Sequence, residues 1–146
     1  MAAQSFSRAV WQVCIALVMG CGHGATSPES SLIRIEPLQT SYAPGDAVTL
    51  TLRNVSEVPV LYNACGSTLQ QNRDGRWLSA NAPEVACTAV IYTLAGGSTA
   101  VGWAGVLPPS LESGLYRYLV SALHGTTGEN WPESVRASAP FLVTSR

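Results

Sequence analysis

The chain contains no lysine. All eight of its basic residues are arginine, set against nine acidic ones, and the formal net charge is −1. No basic cluster appears anywhere, which argues against nucleic acid as a partner and against a polybasic membrane patch. No long apolar run is present either. The longest, Ala9 to Met19, is broken at Gln12. At about 11 residues it is too short to span a bilayer, which takes roughly 20. No Gly-x-Ser-x-Gly elbow occurs, and nothing after Cys21 follows a period of 3.6. Metal ligands are scarce. A zinc site needs three or four, and beyond the leader only His23 and His124 accompany the cysteines. No cofactor is expected.

What is present begins with a leader. Arg8 precedes the apolar run, and small residues follow it, the layout of a secretory signal peptide. Val18-Met19-Gly20-Cys21 resembles a bacterial lipobox. In such proteins the leader, here residues 1–20, is removed before the cysteine. The thiol and new amine of Cys21 are then acylated, with palmitate or a similar chain. Val18 stands where leucine is more usual, and a plain signal peptide cut elsewhere is the competing reading. Two or more acyl chains anchor a protein stably where one does so only marginally. The resemblance therefore implies a lipid-anchored lipoprotein of the bacterial cell envelope, facing the periplasm or exterior. Residues 21–31, rich in Gly, Ser, Thr and Pro, read as a flexible tether. About ten such residues span roughly 17–19 Å root-mean-square.

From Leu32 to Arg146 the length is that of one domain, and its pattern is strand-like throughout. In "AVTLTLRN" Val48, Leu50 and Leu52 fall on one face, and Thr49, Thr51 and Arg53 on the other, the mark of a half-buried strand. "LIRIEP", "VPVLYN" and "STAVGWAGVL" read as further strands. Arg73-Asp74-Gly75-Arg76 reads as a hairpin turn joining "TLQQN" to "WLS". "ACTAVIYTL", "LYRYLVSAL" from Leu115 to Leu123, and "VRASAPFLVT" from Val135 to Thr144 complete the set. About seven to nine short strands with regular turns predict an all-β, immunoglobulin-like sandwich. Trp103 is expected to fill core. A tyrosine in Ser113-Gly114-Leu115-Tyr116-Arg117-Tyr118 fits a tyrosine corner, or else is an ordinary strand aromatic. The run from "YAPGDAVTLTLRNVSEVPVLYN" through "GLYRYLV" to "PFLV" resembles the immunoglobulin-like domains of bacterial secreted and surface lipoproteins.

Cys14 leaves with the leader and Cys21 carries lipid, so Cys65 and Cys87 remain as an even pair. Export permits a disulfide between them. It would tie the base of the hairpin between them, closing a loop of about 23 residues and stabilising by roughly 3 kcal/mol.

Catalysis is not expected. His124 and Asp74 occur without a nucleophile motif. Glu129 and Glu133 flank Trp131, but paired glutamates on a short loop are more often solvated charge than glycosidic machinery. Asn54-Val55-Ser56 matches a glycosylation acceptor, a signal discounted for a bacterial cell. The segment of promise is "HGTTGENWPES", the connection before the last strand. Trp131 there is a candidate binding residue for a protein or cell-wall partner, or else it seals the end of the sandwich. Two functions follow: a membrane-tethered binding or structural module, and a proteinase inhibitor. The second rests on Trp103, Leu107, Gly114 and Tyr116. They resemble landmarks of the bacterial intracellular proteinase inhibitor family, whose cytoplasmic setting differs from an exported chain with a disulfide.

Overall fold

The structure, a computed structural model, describes residues 32–80 and 86–145. The leader, the lipobox with Cys21, and the tether lie outside the described residues. Among the described residues eleven strands alternate with turns: β1 (Ile33–Pro37), β2 (Ser41–Tyr42), β3 (Ala47–Asn54), β4 (Val60–Asn63), β5 (Thr68–Arg73), β6 (Arg76–Ser79), β7 (Tyr92–Leu94), β8 (Thr99–Val106), β9 (Gly114–Leu119), β10 (Ala122–His124) and β11 (Phe141–Val143). One helical turn, α1 (Glu133–Arg136), precedes the last strand. The back sheet has the order β1-β3-β8. The front layer consists of β2-β11-β9-β5-β6 and the shorter β10-β4-β7.

The two front sheets are halves of one layer. β4 and β5 are consecutive, as are β9 and β10. β5 pairs with β9, and β4 with β10, all antiparallel. The bend falls at residues 64–67 on one side and 120–121 on the other. There Ser121 Oγ lies 2.9 Å from the carbonyl oxygens of both Asn63 and Cys65. Counting these two bent pairs, β4 with β5 and β9 with β10, as one strand each leaves nine strands among the described residues. The first strand divides between the layers. β1 pairs with β3, and after a bend β2 runs parallel to β11. This is an all-β, immunoglobulin-like sandwich.

Alternation builds its core. Val48, Leu50 and Leu52 of β3 are fully buried, while Thr49 and Thr51 are half-buried and Arg53 is exposed. Ile33 and Ile35 point the same way from β1. They meet Leu69, Tyr116, Tyr118, Leu123, Phe141 and Val143 from the front layer in one cluster. Phe141 stacks with Tyr118 at 6.0 Å and meets Tyr42 edge-on at 5.2 Å, geometries favoured by the ring quadrupoles. The β5–β6 hairpin turns at Asp74 (φ 53°) and Gly75 (φ 79°). Two successive positive φ values make the turn type that matches strand twist. Gly102 of β8 faces Ala64 so closely that a side-chain carbon there would lie 2.8 Å from its Cβ. The layers approach at that point because no side chain intervenes.

Four expectations are corrected. Of "ACTAVIYTL" only Tyr92–Leu94 pairs as a strand. Cys87 to Ile91 stays exposed and irregular, held at its start by the disulfide and by Asn63, whose Nδ2 donates to the Thr88 carbonyl at 3.1 Å. Leu115 to Leu123 is not one strand, because the Ser121 bend interrupts it. Val135 to Thr144 opens in α1, not in a strand. Arg136 folds back to donate to the carbonyls of Trp131 (2.8 Å) and Val120 (2.7 Å), so only an isolated bridge between Ala137 and Leu119 forms before the strand begins at Phe141. Trp103 is not core. It stands on the outer face of β8 with 41% of its surface exposed, since Gly102 and Ala104 take the inward positions beside it.

Candidate functional site

Cys65 and Cys87 form the disulfide, with Cα atoms 5.7 Å apart. Asn63 reinforces it: Oδ1 accepts from Cys65 N at 2.9 Å while Nδ2 holds Thr88. The bridge and this amide together close the base of the segment that carries β5 and β6.

Tyr116 makes the corner. It is buried, and its hydroxyl donates to the Glu112 carbonyl at 2.8 Å, four residues upstream. Burial, then the nearby Glu112 charge, push its phenol above the ordinary value. The bond fixes the loop from Pro108 to Ser113 against the front sheet. Beside it lies a cleft of about 420 Å³ lined by Gln71, Arg73, Leu78, Ser79, Glu112 and Tyr116, among others. At its rim Arg73 faces Glu112 at 3.5 Å, both well exposed. Exposed pairs of this kind contribute ~0–1 kcal/mol, so the rim is loosely held. The cleft offers charge, amide and hydroxyl groups to a polar ligand.

Trp131 is half-buried and packs against the core cluster. Its backbone N–H donates to the Leu123 carbonyl at 2.9 Å. Asn130 Oδ1 accepts from Leu123 N at 3.1 Å, and the ring passes within 3.7 Å of where a side chain on Gly125 would begin. The loop between His124 and Ser134 is therefore pinned at both ends, with most of its tip exposed. His124 Nδ1 lies 2.9 Å from the Gly125 carbonyl. Glu129 is exposed. Glu133 instead reaches the front sheet, where its Oε1 accepts from Arg117 at 2.6 Å and from Gln70 at 3.2 Å. The two glutamates that flank Trp131 are thus not a carboxylate pair.

The Arg117 cluster was not anticipated from the sequence. Arg117 lies over the Trp77 ring, 4.4 Å from its centroid, and its Nε donates to Gln70 Oε1 at 2.7 Å. Burial lowers the guanidinium below its usual value, and Glu133 opposes that shift. Cation–π stacking and a charge-assisted bond together order this face of β5, β6 and β9. A register argument could have found it: positions 70 and 117 are cross-strand partners.

Asn54 is the other residue the sequence concealed. It is fully buried. Its Nδ2 donates to the carbonyls of Val58 (2.7 Å) and Leu94 (3.2 Å), and its Oδ1 accepts from Ser56 N (3.0 Å) and Ser56 Oγ (2.7 Å). The Asn-x-Ser triplet is a turn motif here, with no amide left for a glycan. Of the four inhibitor landmarks, Leu107 and Tyr116 lie in the core. Among the described residues no group of three His, Cys, Asp or Glu is placed to hold a metal. No described helix is long and apolar enough to cross a membrane.

The sequence matches no family profile and no curated protein. Among solved structures, the chain is similar to Northeast Structural Genomics Consortium target SoR45. The TM-score is 0.46 at 14% identity, covering 78% of this chain and 87% of that one. It is also similar to the ASH / PapD-like domain of human CEP192 (PapD-like domain 7). There the TM-score is 0.36 at 15% identity, with 99% and 96% covered. The fold itself is read from the strand order and the core described above.

Proposed function

We propose that this is a lipoprotein of the bacterial cell envelope, lipid-anchored through Cys21, whose single immunoglobulin-like domain is a binding or structural module and not an enzyme. The carrying observation is the disposition of the cysteines. Cys21 closes a lipobox-like run, Cys14 falls in the leader, and Cys65 is bridged to Cys87. Export accounts for all four, since disulfides persist in oxidising compartments and are rare in the cytosol. The domain supports a non-catalytic role in a second way: its buried polar side chains are spent on holding loops, as in Asn54, Asn63 and Tyr116.

The test is metabolic labelling with a tagged fatty acid. The native chain should take the label and sediment with membranes. Cys21→Ser should take none and appear in the soluble fraction. A native chain that stays unlabelled overturns the anchor. Sub-micromolar inhibition of a serine protease by the processed chain would replace the module reading with inhibition.

A further inference from the structure

The misplaced tryptophan leads to a surface. On the outer face of the back sheet, register sets residues in rows: Arg34, Arg53 and Thr99; then Glu36, Thr51 and Val101; then Thr49 beside Trp103; then Ala47 beside Val106. Leu38, whose N–H donates to the Thr49 carbonyl at 2.9 Å, extends the third row. Leu38 is 66% exposed, Val101 67%, Trp103 41% and Val106 43%. Four large apolar side chains thus share one end of a three-stranded face.

The strand that bears three of them is also an edge. Among the described residues β8 pairs only with β3. From Thr99 to Val106 it carries no charged residue. Sheet edges are ordinarily protected by charge, proline or a covering element, and an apolar patch of this kind marks an interaction site. A bulge between Val48 and Thr49 interrupts the β3–β8 register beside Trp103. Bulges twist an edge and end pairing, so a flat apolar partner suits this face better than an added strand.

We infer that the outer face of the β1-β3-β8 sheet is a membrane-docking surface, seating Leu38, Val101, Trp103 and Val106 in the interfacial layer of a bilayer. The inference rests on the lipid anchor proposed above. The anchored Cys21 and the start of the fold at Leu32 are separated by ten residues, a length that reaches no further than ~40 Å in any conformation. Leu32 leads directly into β1, a member of this same sheet. The anchor therefore holds the face near the bilayer, and tethering makes even weak contact count. Trp103 has the amphipathic ring favoured at membrane interfaces. Arg34 and Arg53, partners across β1 and β3 at the end where the chain enters, place two cations against one carboxylate, Glu36, on the face. That excess of one positive charge makes the face compatible with anionic head groups, while the apolar side chains supply the attachment.

The test uses the full processed chain in vesicles of phosphatidylethanolamine and phosphatidylglycerol containing a brominated lipid. Subtracting the emission of Trp103→Phe isolates the Trp103 signal. Trp103 should be quenched in the bound native chain, and Val101→Asp should abolish that quenching while leaving the melting temperature and the acyl anchor intact. Cys21→Ser, added to the same vesicles, should bind weakly, and Val101→Asp in that background should lower binding about tenfold. Unquenched Trp103 in an acylated, vesicle-bound chain overturns docking and leaves the anchor standing. An unacylated native chain, with Cys21→Ser still quenched on vesicles, overturns the anchor and leaves docking standing. Unquenched Trp103 with a dimer that Val101→Asp dissociates would assign the face to a second copy and overturn the inference.

Discussion

Replacing Asn54 should be among the most damaging single changes in this domain. Asn54→Ala removes four hydrogen bonds made by one fully buried side chain. The bond to Leu94 is buried, and loss of a partner at a buried acceptor costs ~1–3 kcal/mol. The three bonds involving Ser56 and Val58 lie nearer the surface, where water replaces the lost partner and each loss sits at the low end of the usual range, ~0.5 kcal/mol. Together these give a destabilisation of ~2–5 kcal/mol. For a domain of this size that lowers the melting temperature by ~8–20 °C. Urea denaturation should show a lower midpoint at unchanged slope, because the folded surface is the same. Asn54→Asp separates the roles of the two amide atoms. The carboxylate keeps an acceptor for Ser56 but turns an oxygen toward the carbonyls of Val58 and Leu94. Its folded pKa rises above the unfolded value of about 3.9. The folded state then holds more protons than the unfolded one, so stability falls as pH rises through that window and returns on acidification. A loss under about 0.5 kcal/mol for Asn54→Ala, or an Asn54→Asp variant with the native pH profile, refutes the reasoning.

Cys65→Ser with Cys87→Ser should cost ~2–3 kcal/mol in urea denaturation, the lower part of the usual 2–5 range, because Asn63 still joins the two segments; a loss of more than ~5 would mean that the amide clip fails without the bridge. Trp131→Ala should cost ~1.5–3 kcal/mol, between the values for a core and an exposed tryptophan, since the ring is half-buried against the core; an unchanged melting temperature would show that it seals nothing. Burial pushes the Tyr118 phenol up to about 12, with Tyr42 adding to the shift. The folded state keeps that proton where the unfolded chain, titrating near 10, has lost it. Stability from this group is whole below about pH 10 and falls as pH rises from there through about 12. Alkaline unfolding followed by tyrosinate absorbance should show this, and Tyr118→Phe should lack it.

The strands with one apolar face were legible because their pattern is local. Val48, Leu50 and Leu52 need only period two and one buried side to be read correctly, and Asp74-Gly75 needs only positive φ. Cys65 and Cys87 were legible by elimination, once Cys14 and Cys21 had been read as belonging to a leader and a lipobox-like run. Tyr116 was legible as a tyrosine at a strand start after a loop. Its partner Glu112 is only four residues away, so the corner too is a local feature.

Which face of a strand meets the core is decided by the other layer. In "TAVGWAGV" the alternation is plain, but size alone puts Trp103 inside. The close approach of Ala64 excludes any side chain at Gly102, and that contact, between residues far apart in sequence, turns the tryptophan outward. Asn54 illustrates the same dependence. The triplet around it signals a turn, yet only the distant Leu94 carbonyl makes its amide a buried tie between the layers. Arg117, Gln70 and Glu133 lie on three separate segments and meet only because β5 pairs with β9 while α1 folds back over them. Composition and spacing determined most of the strands, the Asp74-Gly75 turn and the bridge. The packing of one layer on the other decided which residues face solvent, because steric exclusion across the core is a property of segments that the sequence alone does not bring together.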